Sequence, residues 1–223
     1  MGSKNKLKRF RENDTFTNVI QPTREDLLNG SSLKGNWHKH FNNNNPIVLE
    51  LGCGKGEYTI DLARKNPNIN YIGIDLKGAR FWRGAKTALE ENLTNVAFIR
   101  TQIELIDCIF NENEVTEIWI TFPDPQIKYT RTKHRLTNAE FLKKYHSVLI
   151  PEGIVNLKTD SEFMHGYTLG LLHGAGHEVL YAHHDIYKNP HTPIEVTSTQ
   201  TFYESQYLAT GKPITYIKFI IRY

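Results

Sequence analysis

The sequence predicts an α/β fold in which helices cover both faces of one doubly wound, mostly parallel sheet. Short apolar runs alternate with longer amphipathic segments from residue 47 onward. This alternation is typical of parallel strands joined by helical crossovers. The length of 223 residues suits one well-packed domain and is short for two.

The spacing of apolar residues, and the residues that end each segment, place the elements along the chain. Strands are predicted over residues 47–51, 71–76, 96–99, 118–122, 154–157, 178–182 and 215–221. Helices are predicted over residues 57–65, 79–91, 104–110, 138–149 and 162–172. We find no good helix between the last two strands, so we expect a seven-stranded sheet with an antiparallel last strand.

The N-terminal segment is polar, weakly periodic and basic. Five basic residues crowd its start: Lys4, Lys6, Lys8, Arg9 and Arg11. We expect a flexible basic arm over residues 1–34 and a single folded domain over residues 35–223. The net charge of the whole chain is only +3, so local clusters, more than total charge, indicate a polyanionic partner. A solvated face is the commoner cause of such a charge run.

Composition indicates an ordinary globular protein of a reducing compartment, with 39% hydrophobic and 23% charged residues. Cys53 and Cys108 lie within apolar patterns, so no disulfide framework is implied. The start of the chain lacks the apolar centre of a signal peptide, and no segment approaches the roughly 18 apolar residues of a membrane span. We expect a cytoplasmic protein without membrane contact. No metal site is predicted, and the oligomeric state stays open between monomer and homodimer.

The first predicted strand ends in a glycine-rich loop, ELGCGKG at 50–56. Gly52, Gly54 and Gly56 would let the backbone approach a ligand closely and adopt positive φ. A pyrophosphate-binding loop has the spacing G-x-G-x-x-G, whereas this loop has G-x-G-x-G preceded by the acid Glu50. A carboxylate there would repel a phosphate and suit a cationic amino group. A tight strand-helix turn without any ligand is the alternative.

A second acid, Asp75, ends the next predicted strand. An acid in this place commonly accepts hydrogen bonds from both hydroxyls of a ribose. A ligand with an adenosine, an amino-acid tail and no phosphate is S-adenosylmethionine. The acid before the glycines, the glycine loop and Asp75 together therefore predict a site for S-adenosylmethionine.

The segment TFPDPQIKYTRTKHRLT, residues 121–137, holds Asp124 between two prolines after the fourth predicted strand. Pro123 and Pro125 fix their own φ, and Pro125 also restricts Asp124 to extended conformations. Strand four lies beside strand one in this architecture, so the carboxylate would project toward the cofactor. An aspartate that caps a turn is the alternative. Basic residues follow: Lys128, Arg131, Lys133, His134 and Arg135.

Two further acidic segments are LKTD at 157–160 and TFYE at 201–204. Asp160 ends the fifth predicted strand at the same sheet edge, and Glu204 lies before the final strand. A helix N-cap for Asp160 and a solvated acid for Glu204 are at least as common as a function. Three acids on three segments nevertheless favour a shared site with Asp124.

This combination of motifs resembles the bacterial tRNA (guanine-N7-)-methyltransferases of the TrmB type, from about residue 35 to the C-terminus. The matching segments are ELGCGKG, YIGID at 71–75, TFPDPQIK with KHRLT, LKTD, and TFYE followed by GKPI at 211–214. The combination is far more diagnostic than any single motif. The resemblance implies a Rossmann-like class I methyltransferase fold. It also implies methyl transfer from S-adenosylmethionine to N7 of guanine in tRNA, at position 46 of the variable loop.

The resemblance also assigns site residues. It implies cofactor or catalytic roles at Glu50, Asp75, Gln102 and Asp124. It implies substrate contacts at Lys128, Arg135, Asp160, Thr201, Phe202, Tyr203 and Glu204. Three departures stand out: Gln126 replaces a tryptophan, His134 replaces the first of two arginines, and Gln102 replaces an acid. The last departure puts the catalytic contribution of position 102 in doubt.

Guanine N7 carries an in-plane lone pair and no proton, so the expected mechanism depends on alignment and not on a general base. Asp124 or Asp160 would accept hydrogen bonds from N1–H and the exocyclic amine of guanine. Arg131, Lys133 and Arg135 would bind RNA phosphates, with an affinity that falls as salt rises. The N-terminal lysines would form a weaker second patch.

Three alternatives remain. The first is an amino-group methyltransferase of the same fold, which the order P-D-P-Q disfavours. The second is a non-catalytic RNA-binding protein on that fold, which the intact cofactor motifs disfavour. The third is an NAD-dependent dehydrogenase, for which the glycine spacing is poor.

Overall fold

The computed structural model describes residues 3–223 and confirms the α/β class. The strands in that range are β1 (Val19–Ile20), β2 (Ile47–Leu51), β3 (Asn70–Ile74), β4 (Val96–Ile99), β5 (Val115–Thr121), β6 (Leu149–Thr159), β7 (Glu178–His183) and β8 (Thr215–Ile220). The helices are α1 (Ser3–Asn13), α2 (Arg24–Leu28), α3 (Trp37–Phe41), α4 (Glu57–Lys65), α5 (Gly78–Glu90), α6 (Ile106–Ile109), α7 (Ala139–Val148), α8 (Glu162–Gly174), α9 (Ile194–Thr197) and α10 (Phe202–Ala209). Short 3-10 helices cover Ile103–Leu105 and Tyr129–His134.

The strands form one eight-stranded sheet in the order β1-β4-β3-β2-β5-β6-β8-β7. Pairs from β1 to β6 are parallel, whereas β8 runs antiparallel to both of its neighbours. The antiparallel last strand is therefore confirmed. The predicted count of seven lacked β1, a two-residue strand too short to show any periodicity.

Two apolar layers enclose the sheet. One contains side chains of α7 and α8 together with Trp37 and Phe41 of α3. The other contains Tyr58 of α4 and Phe81 of α5. Strands of a parallel sheet end at a common edge, and the register places Glu50 opposite Trp119 and Thr121 opposite Lys158. The acidic and glycine motifs therefore meet at one edge of the sheet.

The N-terminal segment differs from the expected flexible arm. Helix α1 packs against α5, with Asn13 Nδ2 donating to the carbonyl of Gly78 at 3.0 Å and Trp82 Nε1 donating to Glu12 Oε2 at 2.6 Å. These contacts are made across long sequence separations, so periodicity within residues 1–34 does not reveal them. Residues 1 and 2 of the predicted arm, and the side chain of Lys4, lie outside the described part.

The connection between the last two strands also differs from expectation, because it contains α9 and α10. Helix α10 begins with a capping box in which the Thr201 side chain accepts from the Glu204 backbone N–H, and the Glu204 carboxylate accepts from the Thr201 N–H. The sequence T-x-x-E is the signature of this motif. The segment is predicted above only as a substrate contact, and the structure shows that it also begins a helix.

Candidate functional site

The glycine loop after β2 leaves open space on one side. Gly52 and Gly54 have φ of 76° and 58°, a region that favours glycine. A Cβ added at Gly52 would find its nearest neighbour at 3.9 Å, and one at Gly54 would find only the loop's own backbone at 4.0 Å. The space ahead of these two glycines can therefore receive a ligand.

Gly56 lies at a tightly packed contact between helices α4 and α5. A Cβ at Gly56 would lie 2.6 Å from the ring of Phe98 and 3.3 Å from the Cα of Gly84. The residue is buried and forms the N-cap of α4. Its missing side chain therefore lets α4 approach α5 and β4 closely, a packing reason for glycine beside the predicted cofactor contact.

Glu50 lies beneath the loop and is only 4% exposed. Its Oε1 accepts from the Thr121 hydroxyl at 2.6 Å, and its Oε2 accepts from the Thr59 backbone N–H at 2.9 Å and from the Thr59 hydroxyl. Burial raises the pKa of this carboxyl to about 7, against the lowering effect of these hydrogen bonds. A cationic group placed nearby would favour the ionised form.

Asp75 joins the glycine loop to the end of β3. Its Oδ2 accepts from the Gly54 N–H at 3.0 Å, and its Oδ1 accepts from the Lys77 N–H at 2.7 Å. Gln102, after β4, is exposed, and its Oε1 accepts from Arg24 Nη1 at 2.8 Å. Both side chains thus lie at the sheet edge where the sequence places them, and the Gln102 amide is held by α2.

The Asp124 loop is a constrained turn. Phe122 and Gln126, on either side of the P-D-P segment, have φ of 48° and 46°, which non-glycine residues adopt rarely. Asp124 is exposed, and its Oδ1 accepts from the Gln126 N–H at 3.1 Å. Within residues 3–223 its Oδ2 accepts no hydrogen bond, so this oxygen is available to a ligand.

Arg135 supports this loop from below, which corrects the prediction that it binds RNA phosphates. The residue is 5% exposed. Its Nε donates to the Gln126 carbonyl and its Nη2 to the Ile127 carbonyl, both at 3.2 Å. Its guanidinium also lies over the rings of Phe163 and Tyr167 at 4.9 and 4.4 Å. The Nε and Nη2 donors are thus directed at the chain and not at solvent.

Lys128 and Arg131 remain on the surface beside Asp124. Together with Asp124 and Gln126 they line a shallow depression of about 430 Å³. Neither side chain forms an ion pair with another residue of the described chain. Their cations are therefore free to meet a polyanion at the mouth of the Asp124 loop.

Asp160, at the end of β6, is half-buried and forms an ion pair with Lys212. The pair connects LKTD to GKPI, two segments that the sequence analysis grouped. Its carboxylate is therefore already engaged by a cation, in contrast to that of Asp124.

The TFYE segment divides into a buried and an exposed half. Glu204 is fully buried, and its Oε1 lies 2.6 Å from Lys158 Nζ and accepts from the Tyr187 hydroxyl at 2.8 Å. This burial corrects the prediction that Glu204 contacts the substrate. Thr201 likewise uses its hydroxyl to cap α10.

Phe202 and Tyr203 form the exposed half, with 50% and 55% of their surfaces in solvent. Lys55 of the glycine loop lies over both rings, at 4.4 and 5.6 Å. The Phe202 N–H donates to Glu57 Oε2 at 3.0 Å. These contacts bring the start of α10 against the glycine loop.

Several supporting residues were missed by the sequence analysis: Lys55, Thr59, Thr121, Lys158, Phe163 and Tyr167. Lys158 lies inside the LKTD motif and Thr121 inside the TFPDPQIK motif, so their positions were visible although their contacts were not. The aromatic pair on α8 carries no signal in a single sequence.

Within residues 3–223, no group of three or more His, Cys, Asp or Glu side chains could hold a metal ion. No helix in the described part of the chain is both long and apolar enough to span a membrane.

Known methyltransferases resemble this chain in sequence. A methyltransferase family model, Methyltransf_4, matches residues 44–217. A tRNA (guanine-N(7)-)-methyltransferase of Christiangramia forsetii is 73% identical over 224 residues, covering 100% of both chains. One from Bacteroides fragilis is 44% identical, covering 98% of this chain and 86% of the relative.

Solved structures with the same fold include the 16S rRNA methyltransferase KamB, with a TM-score of 0.60 at 15% identity, covering 80% of this chain and 89% of that one. A variant of the 16S rRNA (adenine(1408)-N(1))-methyltransferase of Catenulisporales acidiphilia, solved with cosubstrate SAM, has a TM-score of 0.55 at 15% identity, covering 83% and 89%. At these identities the likeness shows the fold alone.

Proposed function

We infer that this chain, which belongs to the bacterial tRNA (guanine-N(7)-)-methyltransferase family, transfers the methyl group of S-adenosylmethionine to N7 of a guanine in tRNA. We place the target at position 46 of the variable loop and the reaction in the cytoplasm, as a monomer or homodimer. The observation that carries the assignment of residues is the 2.6 Å hydrogen bond from Thr121 to Glu50. It joins the base of the Asp124 loop to the base of the glycine loop.

The residues present fit S-adenosylmethionine. Gly52 and Gly54 leave open space for a ligand, and Asp75 presents a carboxylate at the end of β3 where a ribose is bound in such folds. The buried Glu50 carboxylate beneath the loop would favour a cationic amino group placed nearby. When bound, the cofactor supplies an electrophilic methyl group on a sulfonium sulfur. Glu50, Gly52, Gly54, Asp75 and Gln102 are the residues we assign to cofactor binding, and Asp124 borders this site without holding the cofactor.

The chain's own contribution is alignment. Because guanine N7 holds a lone pair and no proton, Asp124 does not have to remove a proton before attack. Correct placement of two reactants can lower a barrier by about 7–11 kcal/mol. The restricted loop supports this role, because Pro123, Pro125 and the guanidinium of Arg135 hold Asp124 in one place.

We assign the reading of guanine to Asp124 in preference to Asp160. Asp124 is exposed with one oxygen unengaged in the described chain, whereas Asp160 is paired with Lys212. A carboxylate that accepts from N1–H and the exocyclic amine discriminates guanine from adenine by about 1–3 kcal/mol, as bidentate base contacts do. Lys128 and Arg131 flank this position and would bind the neighbouring phosphates.

Phe202 and Tyr203 complete the proposed substrate contacts. Exposed aromatic rings offer stacking surfaces to unpaired bases, worth about 1–3 kcal/mol per base. Their position against Lys55 places them beside the glycine loop.

The test is incubation of the protein with tRNA and labelled S-adenosylmethionine, followed by nucleoside analysis. We expect label in 7-methylguanosine, and its loss when the guanine at position 46 is replaced by adenosine. Label in a different nucleoside, or on a protein amino group, would overturn the assignment. Retention of full labelling in the position-46 variant would refute only the placement of the target.

A further inference from the structure

Helix α5 carries a row of cations on its outer side. Lys77, the N-cap of α5, is followed by Arg80, Arg83 and Lys86 at intervals of three residues. Successive members are neighbours on the helix surface, and the row winds around the helix by about 60° per step. The first three are exposed, and Lys86 lies half-buried over the ring of Trp82 at 5.3 Å. At a rise of 1.5 Å per residue the row is about 14 Å long. No acidic residue occurs from Lys77 to Leu89.

Helix α1 packs on α5 and adds further cations to the surface of this helix pair. Lys6, Lys8 and Arg11 are exposed on α1, and Arg9 lies over the Trp82 ring of α5 at 4.5 Å. The one acid of α1, Glu12, accepts from the Trp82 indole at 2.6 Å and lies 3.8 Å from Lys8. We call the surface made by α1 and the α5 row the α1–α5 face. The like charges on this face repel one another. Water only screens this repulsion, whereas a bound polyanion would offset it.

The α1–α5 face is continuous with the proposed substrate contacts. Arg83 lines a groove of about 510 Å³ together with Arg64 and Phe202. The two acids of this groove are already engaged. Glu57 accepts from the Phe202 N–H at 3.0 Å and lies 3.6 Å from Lys55, while Asp61 accepts from Lys65 at 2.5 Å and from Thr199 at 2.6 Å.

The other end of the row is at the cofactor edge. The Lys77 backbone N–H donates to Asp75 Oδ1, so the row starts at the acid that we assign to the ribose. A polyanion lying along α5 would therefore run from the mouth of the site to the groove of Phe202.

We propose that the α1–α5 face binds phosphates in the body of the tRNA, away from the guanine that is methylated. This proposal rests on the proposed function, since it names a second contact surface for the same substrate. An acidic protein is a poorer match for the surface, because the row ends in a groove with an exposed aromatic ring and is continuous with the substrate segment.

The test compares two double variants of the full chain that each remove two positive charges. Arg80→Gln with Arg83→Gln changes the row. Lys39→Gln with Lys143→Gln is the control, since both lysines are exposed on α3 and α7, helices whose buried side chains belong to the opposite apolar layer. All substituted side chains are exposed, so we expect both variants to retain the thermal midpoint of the parent protein.

Binding of tRNA is then measured at several salt concentrations, together with turnover at saturating tRNA. We expect the row variant to bind tRNA about tenfold more weakly than the control, and its slope of log affinity against log salt to fall by about 1.5. The effect should fall on tRNA affinity and not on S-adenosylmethionine affinity.

Equal tRNA affinities and equal salt slopes for the two double variants would overturn the proposal, including the case in which the face serves an acidic protein. If only this proposal fails, the parent protein still forms 7-methylguanosine in tRNA. If the proposed function fails, the parent protein forms none.

Discussion

Lys158 and Glu204 form an ion pair of 2.6 Å in which both side chains are fully shielded from solvent. The Lys158 ammonium also donates to the carbonyls of Val196 and Thr199, at 2.7 and 3.0 Å. This cluster fixes the beginning of α10 to the end of β6. It thereby sets where Phe202 and Tyr203 lie relative to the glycine loop.

Breaking this pair should destabilise the fold. Glu204→Gln leaves the Lys158 ammonium buried without its counter-ion, so we expect a loss of about 3–5 kcal/mol in the free energy of unfolding, measured by urea denaturation. The combination Lys158→Met with Glu204→Leu should recover part of this loss. Phe202→Ala, at an exposed position, should change stability by less than about 0.5 kcal/mol. A stable Glu204→Gln protein with weak tRNA binding would instead indicate a substrate contact.

Glu50 should make the stability of the cofactor-free protein depend on pH. Its pKa is raised from 4.5 to about 7 in the folded chain, so the folded state binds this proton more tightly than the unfolded state. Its contribution is therefore complete below about pH 4.5 and is lost as pH rises to about 7, by roughly 3 kcal/mol. The measurement is urea denaturation between about pH 5 and pH 8.

Glu50→Gln, which does not titrate, is the comparison for that measurement. As pH rises across this range, the unfolding free energy of the parent should fall relative to that of Glu50→Gln. A difference independent of pH would show that Glu50 is already ionised beneath the loop. Added S-adenosylmethionine should reduce the dependence, because a cationic amino group lowers the pKa of a neighbouring carboxyl.

Asp124 should be required for methyl transfer and dispensable for cofactor binding. We expect Asp124→Ala to lower the rate at saturating substrates by at least about 100-fold, as loss of substrate placement does. Asp124→Asn keeps an oxygen that can accept from the Gln126 N–H, so it tests the charge with the turn intact. Titration with S-adenosylmethionine should give similar affinities for all three proteins. Full activity in Asp124→Asn would remove the guanine-reading role.

Arg135 should affect turnover through the position of the Asp124 loop. Arg135→Lys keeps the charge and loses the planar fork that contacts two carbonyls, so we expect turnover to fall about tenfold. Tyr167→Leu removes one stacking partner and should change turnover in the same direction. Neither variant should alter the salt slope of tRNA binding. A reduced slope in Arg135→Lys would restore the phosphate-binding role that the sequence suggested.

Gln126 should tolerate glycine and reject a β-branched residue. Its φ of 46° is readily adopted by glycine, whereas this left-handed conformation destabilises other residues by roughly 1–2 kcal/mol. We expect Gln126→Gly to retain most activity and Gln126→Val to lose it through displacement of the loop. Equal methylation rates for the two variants would show that the turn does not depend on this conformation.

Sequence patterns predicted the central elements well because local spacing specifies them. The predicted boundaries of β2, β4 and α4 agree with the structure. The patterns did not predict β1 and α1, because contacts with residues distant in the sequence hold these two elements in place. Phe98 N–H, for example, donates to the carbonyl of Asn18 at 2.8 Å.

Site residues were located better than their roles were assigned. The motifs containing Glu50, Asp75 and Asp124 meet at one sheet edge, as strand order requires. Burial, together with hydrogen-bond partners, indicates whether a side chain can meet the RNA or supports the fold, and neither is visible in a motif. Arg135 and Glu204 are buried, whereas Arg131 and Tyr203 in the same two motifs are exposed. One motif therefore contains both residues that can contact a substrate and residues that support the fold.

The position of β8 between β6 and β7 has a consequence for synthesis of the chain on the ribosome. Translation delivers the N-terminal part first, and β7 pairs with no strand other than β8 in the sheet of the described chain. Until β8 emerges, β7 lacks its partner and β6 has one unpaired edge. A nascent chain can therefore assemble the glycine loop and the Asp124 loop on the parallel strands while the antiparallel end of the sheet is still incomplete.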